Sequence, residues 1–155
     1  YTRHIPFFKK ADLALSSIAK LSPSTARPYY LNRGLGWGIN SIRCYDYYVA
    51  DGNGFFAQKA SFRYRLIDTK LSLKRIKWQP FQIIPIKAAS KLFFDIAYVN
   101  NEKYLFQGDF LNEPLYSYGL GLDIIVFDDA VWRFEYGLNH QGNAAFFLNF
   151  TSAIQ

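Results

Sequence analysis

The sequence predicts an all-β chain, part of an antiparallel transmembrane β-barrel, on three observations. Six segments alternate apolar and polar residues with the two-residue period of a strand, and no convincing amphipathic helix interrupts them. Each segment is close to the roughly 9–11 residues of a tilted membrane-spanning strand, not the 5–6 usual in soluble sheets. The connectors between them alternate in length, as in barrels with long outer loops and short inner turns.

In chain order, 11–21 (ADLALSSIAKL) is a strand of ambiguous parity, with apolar residues on both faces. In 55–67 (FFAQKASFRYRLI) one face carries Phe56, Phe62, Tyr64 and Leu66, with Gln58 and Ala60 as weak points. Its other face carries Lys59, Ser61, Arg63 and Arg65. In 87–99 (KAASKLFFDIAYV), Leu92, Phe94, Ile96 and Tyr98 oppose Lys91, Phe93, Asp95 and Ala97. The alternation is cleanest in 115–127, where Tyr116, Tyr118, Leu120, Leu122, Ile124 and Val126 oppose Ser117, Gly119, Gly121, Asp123 and Ile125. In 130–138, Trp132, Phe134, Tyr136 and Leu138 oppose Arg133, Glu135 and Gly137; in 144–151, Phe146, Leu148 and Phe150 oppose Phe147 and Asn149.

A soluble β-sandwich also alternates. Here the apolar faces are long and have aromatics near their ends, as membrane-interface girdles do, while the polar faces mix both charge signs with small residues, which suits a wet, crowded lumen. Residues 22–54, 100–114 and 139–143 fall outside, "DD" at 128–129 is a tight inner turn, and 68–86 is an inner connector of unusual length. Six strands cannot close a membrane barrel, whose smallest examples have about eight. An open edge in lipid leaves backbone groups unpaired at several kcal/mol each. Further strands are therefore expected from upstream chain or from another chain, and the start at "YTRHI", without methionine and resembling a strand end, reads as a fragment or processed piece.

Composition agrees. Half of the 155 residues are hydrophobic and 19% aromatic, yet the mean hydropathy is −0.08, so apolar and polar residues are finely interleaved. No run approaches the roughly 18–20 apolar residues of a transmembrane helix. The net charge is +6, but the basic residues are scattered. The densest group, "KLSLKRIKW" at 70–78, reads as a solvated or headgroup-facing segment, not a nucleic-acid site. Cys44 is alone, and His4 and His140 lie far apart with no cysteine near them, so neither a disulfide framework nor a zinc site is expected, and no cofactor. Asp95, Asp123 and Glu135 have no nucleophile–base grouping near them, so no enzyme is expected.

The stretch "SIRCYDYYVADGNG", 41–54, is too long and aromatic for a hairpin turn, and it places Arg43 at its head. With the glycine-rich approach "NRGLGWGINSI" before it, this loop resembles the Arg-Gly-aromatic loop of the BamA/TamA-type outer-membrane assembly factors, the bacterial surface antigen family of Gram-negative bacteria. The resemblance covers almost the whole chain, aligning it with the last six strands of a sixteen-stranded barrel. It implies that the loop folds back into the barrel and that Arg43, with Tyr45 beside it, is held by acids of the inner wall. Asp95 matches the family's strand-thirteen aspartate, and Asp123 and Glu135 share its face. Two departures stand out: Cys44 replaces the family's glycine, and Arg63 stands where many members have a second wall acid, which repels Arg43 unless Asp123 or Glu135 intervenes.

The resemblance implies a bacterial outer-membrane protein that helps other β-barrels insert, without covalent chemistry. Its partners are then outer-membrane lipid, client barrels, accessory assembly proteins and the upstream strands of its own barrel. Phe146, Leu148 and Phe150 alternate on the final strand as in the recognition signal of outer-membrane proteins, and 144–151 forms one side of a weak seam. Alternatives are a polypeptide secretion pore, the anchor of an upstream enzymatic domain, a diffusion channel, and a soluble sandwich acting as a binding module. Parity also predicts that a cation is costly at Leu122 and milder at Ser117.

Overall fold

The computed structural model describes residues 1–21, 34–36, 41–45, 48–72, 83–101, 111–127 and 129–152. Within them the alternating aromatic and β-branched segments form seven strands: β1 (Thr2–Phe8), β2 (Ala11–Leu21), β3 (Gly54–Ser72), β4 (Ile83–Asn100), β5 (Pro114–Val126), β6 (Ala130–Asn139) and β7 (Ala144–Ser152). They make one sheet in sequence order, every neighbouring pair antiparallel. No helix forms in the described residues.

The sheet differs from the sequence reading in two places. "YTRHI" is part of a full strand, β1, which turns at Lys9–Lys10 and pairs along β2 from Thr2↔Ser16 to Phe8↔Ala11. Pro6, which cannot donate to a ladder, obscures this strand in the sequence, and a register shift accompanies it between Pro6 and Phe8. The connector 68–86 is also not all loop. Asp68–Ser72 continues β3 and pairs residue by residue with Ile83–Lys87 of β4; residues 73–82 lie outside the described set, as do 22–33 and 102–110 where outer loops are expected.

The two faces of the sheet are opposite in character. On one, Leu92, Phe94, Ile96, Tyr98, Tyr116, Tyr118, Leu120, Trp132, Tyr136, Phe146, Leu148 and Phe150 are exposed, Leu120 by 61% and Phe146 by 65%. The other carries buried Lys91, Asp95, Ser117, Asp123, Glu135 and Asn139, with Asp95 and Ser117 at 0% exposure. A soluble sheet buries its greasy side; this one exposes it.

Burial on the polar side comes from the segment between β2 and β3. Ile42, Tyr45, Leu35 and Ala50 of that segment pack on Phe55, Ala57, Ala97, Val99 and Leu115 of the sheet. Ile18 packs against this cluster, which explains the ambiguous parity of β2: register pairs Leu13 and Leu15 with Phe62 and Ala60 on the bare face, while Ile18 serves the loop-bearing face. The sheet curls around that face. His4 of β1 and Asn149 and Thr151 of β7 line one cavity of about 740 Å³ together with Arg43.

Candidate functional site

The loop that carries Arg43 is built as a small hairpin. Leu35 N–H donates to Ala50 O at 2.9 Å and Ala50 N–H returns to Leu35 O at 3.1 Å. Gly36 makes this approach possible: its φ is +91°, and a Cβ there would lie 2.2 Å from Tyr48 O. Gly34 N–H donates to the buried Asp51 carboxylate at 3.0 Å. At the loop's inner end Tyr45 N–H bonds to Ile42 O at 3.2 Å, closing a tight turn around Arg43 and Cys44. Cys44 takes φ +67°, the left-handed region where glycine is preferred.

That turn delivers Arg43 onto the polar face. Its Nε donates to Asp95 Oδ2 at 2.8 Å and Nη2 to Oδ1 at 2.5 Å, a bidentate fork, and its backbone N–H reaches Oδ2 at 3.2 Å. Nη1 donates to Ser61 Oγ at 3.1 Å and Glu135 Oε1 at 3.3 Å, and the guanidinium lies 4.0 Å over the Phe93 ring. Burial alone lowers an arginine pKa, but the hydrogen bonds and charge of Asp95, then of Glu135, outweigh it and leave Arg43 raised. It is a permanent cation.

Three rows across β4, β5 and β6 explain why the arginine fits. Lys91, Gly121 and Glu135 are register partners. Because Gly121 has no side chain, Lys91 Nζ crosses it to Glu135 Oε1 at 2.6 Å. In the next row Phe93 lies over Gly119 and Gly137, where a Cβ would come within 2.6 Å and 2.7 Å of its ring; Cys44 Sγ would meet the Gly137 Cβ at 2.7 Å. The third row is Asp95, Ser117 and Asn139.

Across β4, β5 and β6 the charges of this face are paired. Lys91 reaches Asp123 at 3.3 Å, and Arg133 meets Asp123 at 3.2 Å, so Arg43, Lys91 and Arg133 interleave with Asp95, Glu135 and Asp123. Asp123, expected among the arginine's own anchors, instead holds Lys91 and Arg133, and reaches Arg43 only through Lys91 and Glu135. Arg63 does not confront Arg43. Its register partner Asp12 accepts its Nε at 2.9 Å and Nη2 at 2.6 Å, and His4 Nδ1 lies 3.3 Å away.

Tyr45 is buried with its hydroxyl donating to Tyr116 O at 3.2 Å, and it accepts the His140 backbone N–H at 3.4 Å. His140 Nδ1 also bonds to the Tyr45 hydroxyl, and the rings stack with centroids 6.0 Å apart. Burial raises the Tyr45 pKa above the ordinary tyrosine value. Ser117, expected to tolerate a cation, is fully buried beside Asp95 and beneath this loop, so an arginine there would displace the anchor.

The sequence reading did not assign Lys91, Phe93, Ser61 or His140 to the site. Lys91 and Phe93 share the parity of Asp95 and were legible as neighbours; His140 has no sequence signal, since the fold alone brings it to Tyr45. Phe146, Leu148 and Phe150 sit on the bare face of β7, whose other edge carries no strand among the described residues. Among the described residues no group of three His, Cys, Asp or Glu could hold a metal. The arrangement can hold a loop against a charged wall. Comparison with protein-family models, curated proteins and solved structures returned no match.

Proposed function

We propose that this chain is the C-terminal part of a transmembrane β-barrel of the bacterial outer membrane, with the bare face toward lipid and the Arg43 loop inside. On this reading it belongs with the BamA/TamA-type assembly factors and assists other barrels to insert, in contact with accessory proteins. The single observation that supports it is the inverted sheet with its folded-in loop: exposed aromatics on one side, and on the other Arg43 bound to buried Asp95.

β1 and β7 are both odd-numbered in an all-antiparallel sheet, so they run the same way and cannot close antiparallel on each other. A closed antiparallel barrel requires an odd number of further strands between them, consistent with a sixteen-stranded total. An edge such as β7, with Phe146, Leu148 and Phe150 alternating along it, can offer its unpaired backbone to an incoming strand when that closure opens. This edge chemistry, not bond-making, is the proposed activity.

The test is client insertion. Vesicles carrying the protein are mixed with an urea-unfolded eight-stranded barrel, and folding is followed by heat-modifiable gel mobility. The reading expects faster insertion than in empty vesicles, and loss of the acceleration when a disulfide staples β7 to its closing strand. Equal rates with and without the protein overturn it.

A further inference from the structure

β3 and β4 outrun their neighbours. β2 stops at Ala11 opposite Tyr64, and β5 stops at Val126 opposite Ile86. Beyond Arg65, whose N–H still bonds to Lys10 O, β3 continues through Ser72 with only β4 beside it among the described residues. Those seven residues extend about 20 Å at the usual rise of a strand.

This ribbon has its own device. A bulge between Arg65 and Ile67 inserts Leu66 as an extra residue, pairing Arg65 with Ala89 but Ile67 with Ala88. Without it, Asp68 and Lys70 would share the face of Phe62 and Tyr64. With it, Ile67 and Thr69 join Ile84, Ile86 and Ala88 on that greasy face, and Asp68 and Lys70 turn to the other. Leu66 and Ile67 are each 52% exposed. At this end of the sheet the described residues Lys9, Lys10, Arg65, Lys70 and Lys87 outnumber the acids Asp68 and Asp129. The Arg65–Asp68 pair is 3.7 Å long and half exposed, so it leaves the cationic character in place.

We propose that the β3–β4 extension is a membrane-surface element, with its apolar face in the boundary between headgroups and acyl chains of an anionic leaflet and its cations at lipid phosphates. It rests on the membrane reading and adds a lipid class to it. Lipid fits better than a polypeptide strand for two reasons. The apolar row continues the face assigned to acyl chains, and on the β4 edge Pro85 has no N–H to donate and its carbonyl already accepts Phe127 N–H at 3.1 Å, so among the described residues the β3 edge alone is left for a strand.

The test uses the complete barrel that carries this chain, with Cys44→Gly and no other cysteine, labelled with an environment-sensitive fluorophore at Thr69→Cys, Asp68→Cys or Leu120→Cys, in vesicles of phosphatidylcholine with or without phosphatidylglycerol. Quenchers are acrylamide in water and nitroxide lipids at shallow and deep positions. The expected result is shallow-lipid quenching and acrylamide shielding at position 69 in phosphatidylglycerol vesicles, with acrylamide access at 68. Lys10→Glu with Lys70→Glu abolishes the phosphatidylglycerol dependence, each cation near an anionic surface being worth about a fivefold change in occupancy. The proposal is overturned if position 69 is as open to acrylamide as 68, if it is shielded from both quenchers (a protein then covers it), or if charge reversal changes nothing. The Leu120 label separates the two failures: deep-lipid quenching there with a wet position 69 overturns only the ribbon proposal, whereas a wet Leu120 overturns the membrane reading.

Discussion

Replacing Asp95 by Asn isolates the contact that holds the loop. Asp95 is fully buried and accepts three hydrogen bonds from Arg43, two from the guanidinium and one from the backbone. Asparagine keeps the shape and one acceptor oxygen but loses the charge and the fork. A hydrogen bond to a charged group contributes about 1.5–3 kcal/mol. Glu135, at 3.3 Å, still faces the guanidinium, so Arg43 is not left without an anion and the full cost of breaking a buried pair does not apply. The expected loss is about 2–3 kcal/mol of loop docking, or about 30- to 150-fold in the opening equilibrium. Asp95→Ala, which removes every acceptor at 95, should cost more than Asp95→Asn but less than the about 3–5 kcal/mol of a buried charge left without a partner, because Glu135 remains. Hydrogen exchange reads this directly at the amides of Leu35 and Ala50, which bond only within the loop hairpin, while sheet amides such as those of β5 serve as the reference. If Leu35 and Ala50 exchange within twofold of the parent rate in Asp95→Asn, the fork does not hold the loop and the reasoning fails.

Three other predictions follow from the same geometry. Cys44→Gly relieves a φ of +67° and should slow loop exchange by roughly 1 kcal/mol, less whatever the Sγ contact over Gly137 contributes; faster exchange would show that this contact dominates. On β7, Leu148→Arg on the bare face should impair insertion by about 2–4 kcal/mol if it lies near the bilayer centre, while Asn149→Arg, facing the cavity, should be much milder, measured as the folded fraction in vesicles across a urea series; equal losses contradict the face assignment. Tyr45 has a raised pKa because it is buried, so the neutral phenol is the form that fits. Its contribution is fully present below the ordinary tyrosine value of about 10 and is lost as pH rises through the folded value. The protection factor at Leu35, with the hydroxide-catalysed intrinsic rate divided out, should therefore fall only in that alkaline window, and Tyr45→Phe should flatten the profile.

The strands were legible because their side chains obey one rule, alternation, over long stretches: Tyr116 to Val126 needs no tertiary information. The failures lie where that rule is broken locally. Pro6 disguised β1, and the Arg65–Ile67 bulge shifts parity by one residue, so alternation read past Leu66 predicts the wrong faces and hides the β3–β4 ribbon. The parity of 11–21 was ambiguous because the loop covers Ile18 on one face while Leu13 and Leu15 lie on the other. At the site, Arg43 and Asp95 could be matched through the resembled loop and strand parity. The allotment of the other charges could not be read. Asp123 goes to Lys91 and Arg133 because Gly121 lets Lys91 cross to Glu135, a consequence of cross-strand register that appears nowhere in linear sequence. Arg63 looked like a clash until register set Asp12 opposite it.

The most direct measurement of the central claim uses Trp132, which stands on the bare face, 43% exposed and packed on Phe150 with ring centroids 4.8 Å apart. In the complete barrel with Trp132 as its sole tryptophan (Trp37→Phe and Trp78→Phe within this chain), its fluorescence is read in vesicles whose acyl chains carry bromine, and separately against acrylamide. Strong quenching by brominated chains with little by acrylamide is the predicted result. Quenching by acrylamide alone, or by neither, would place Trp132 in water or inside a protein core and contradict the account.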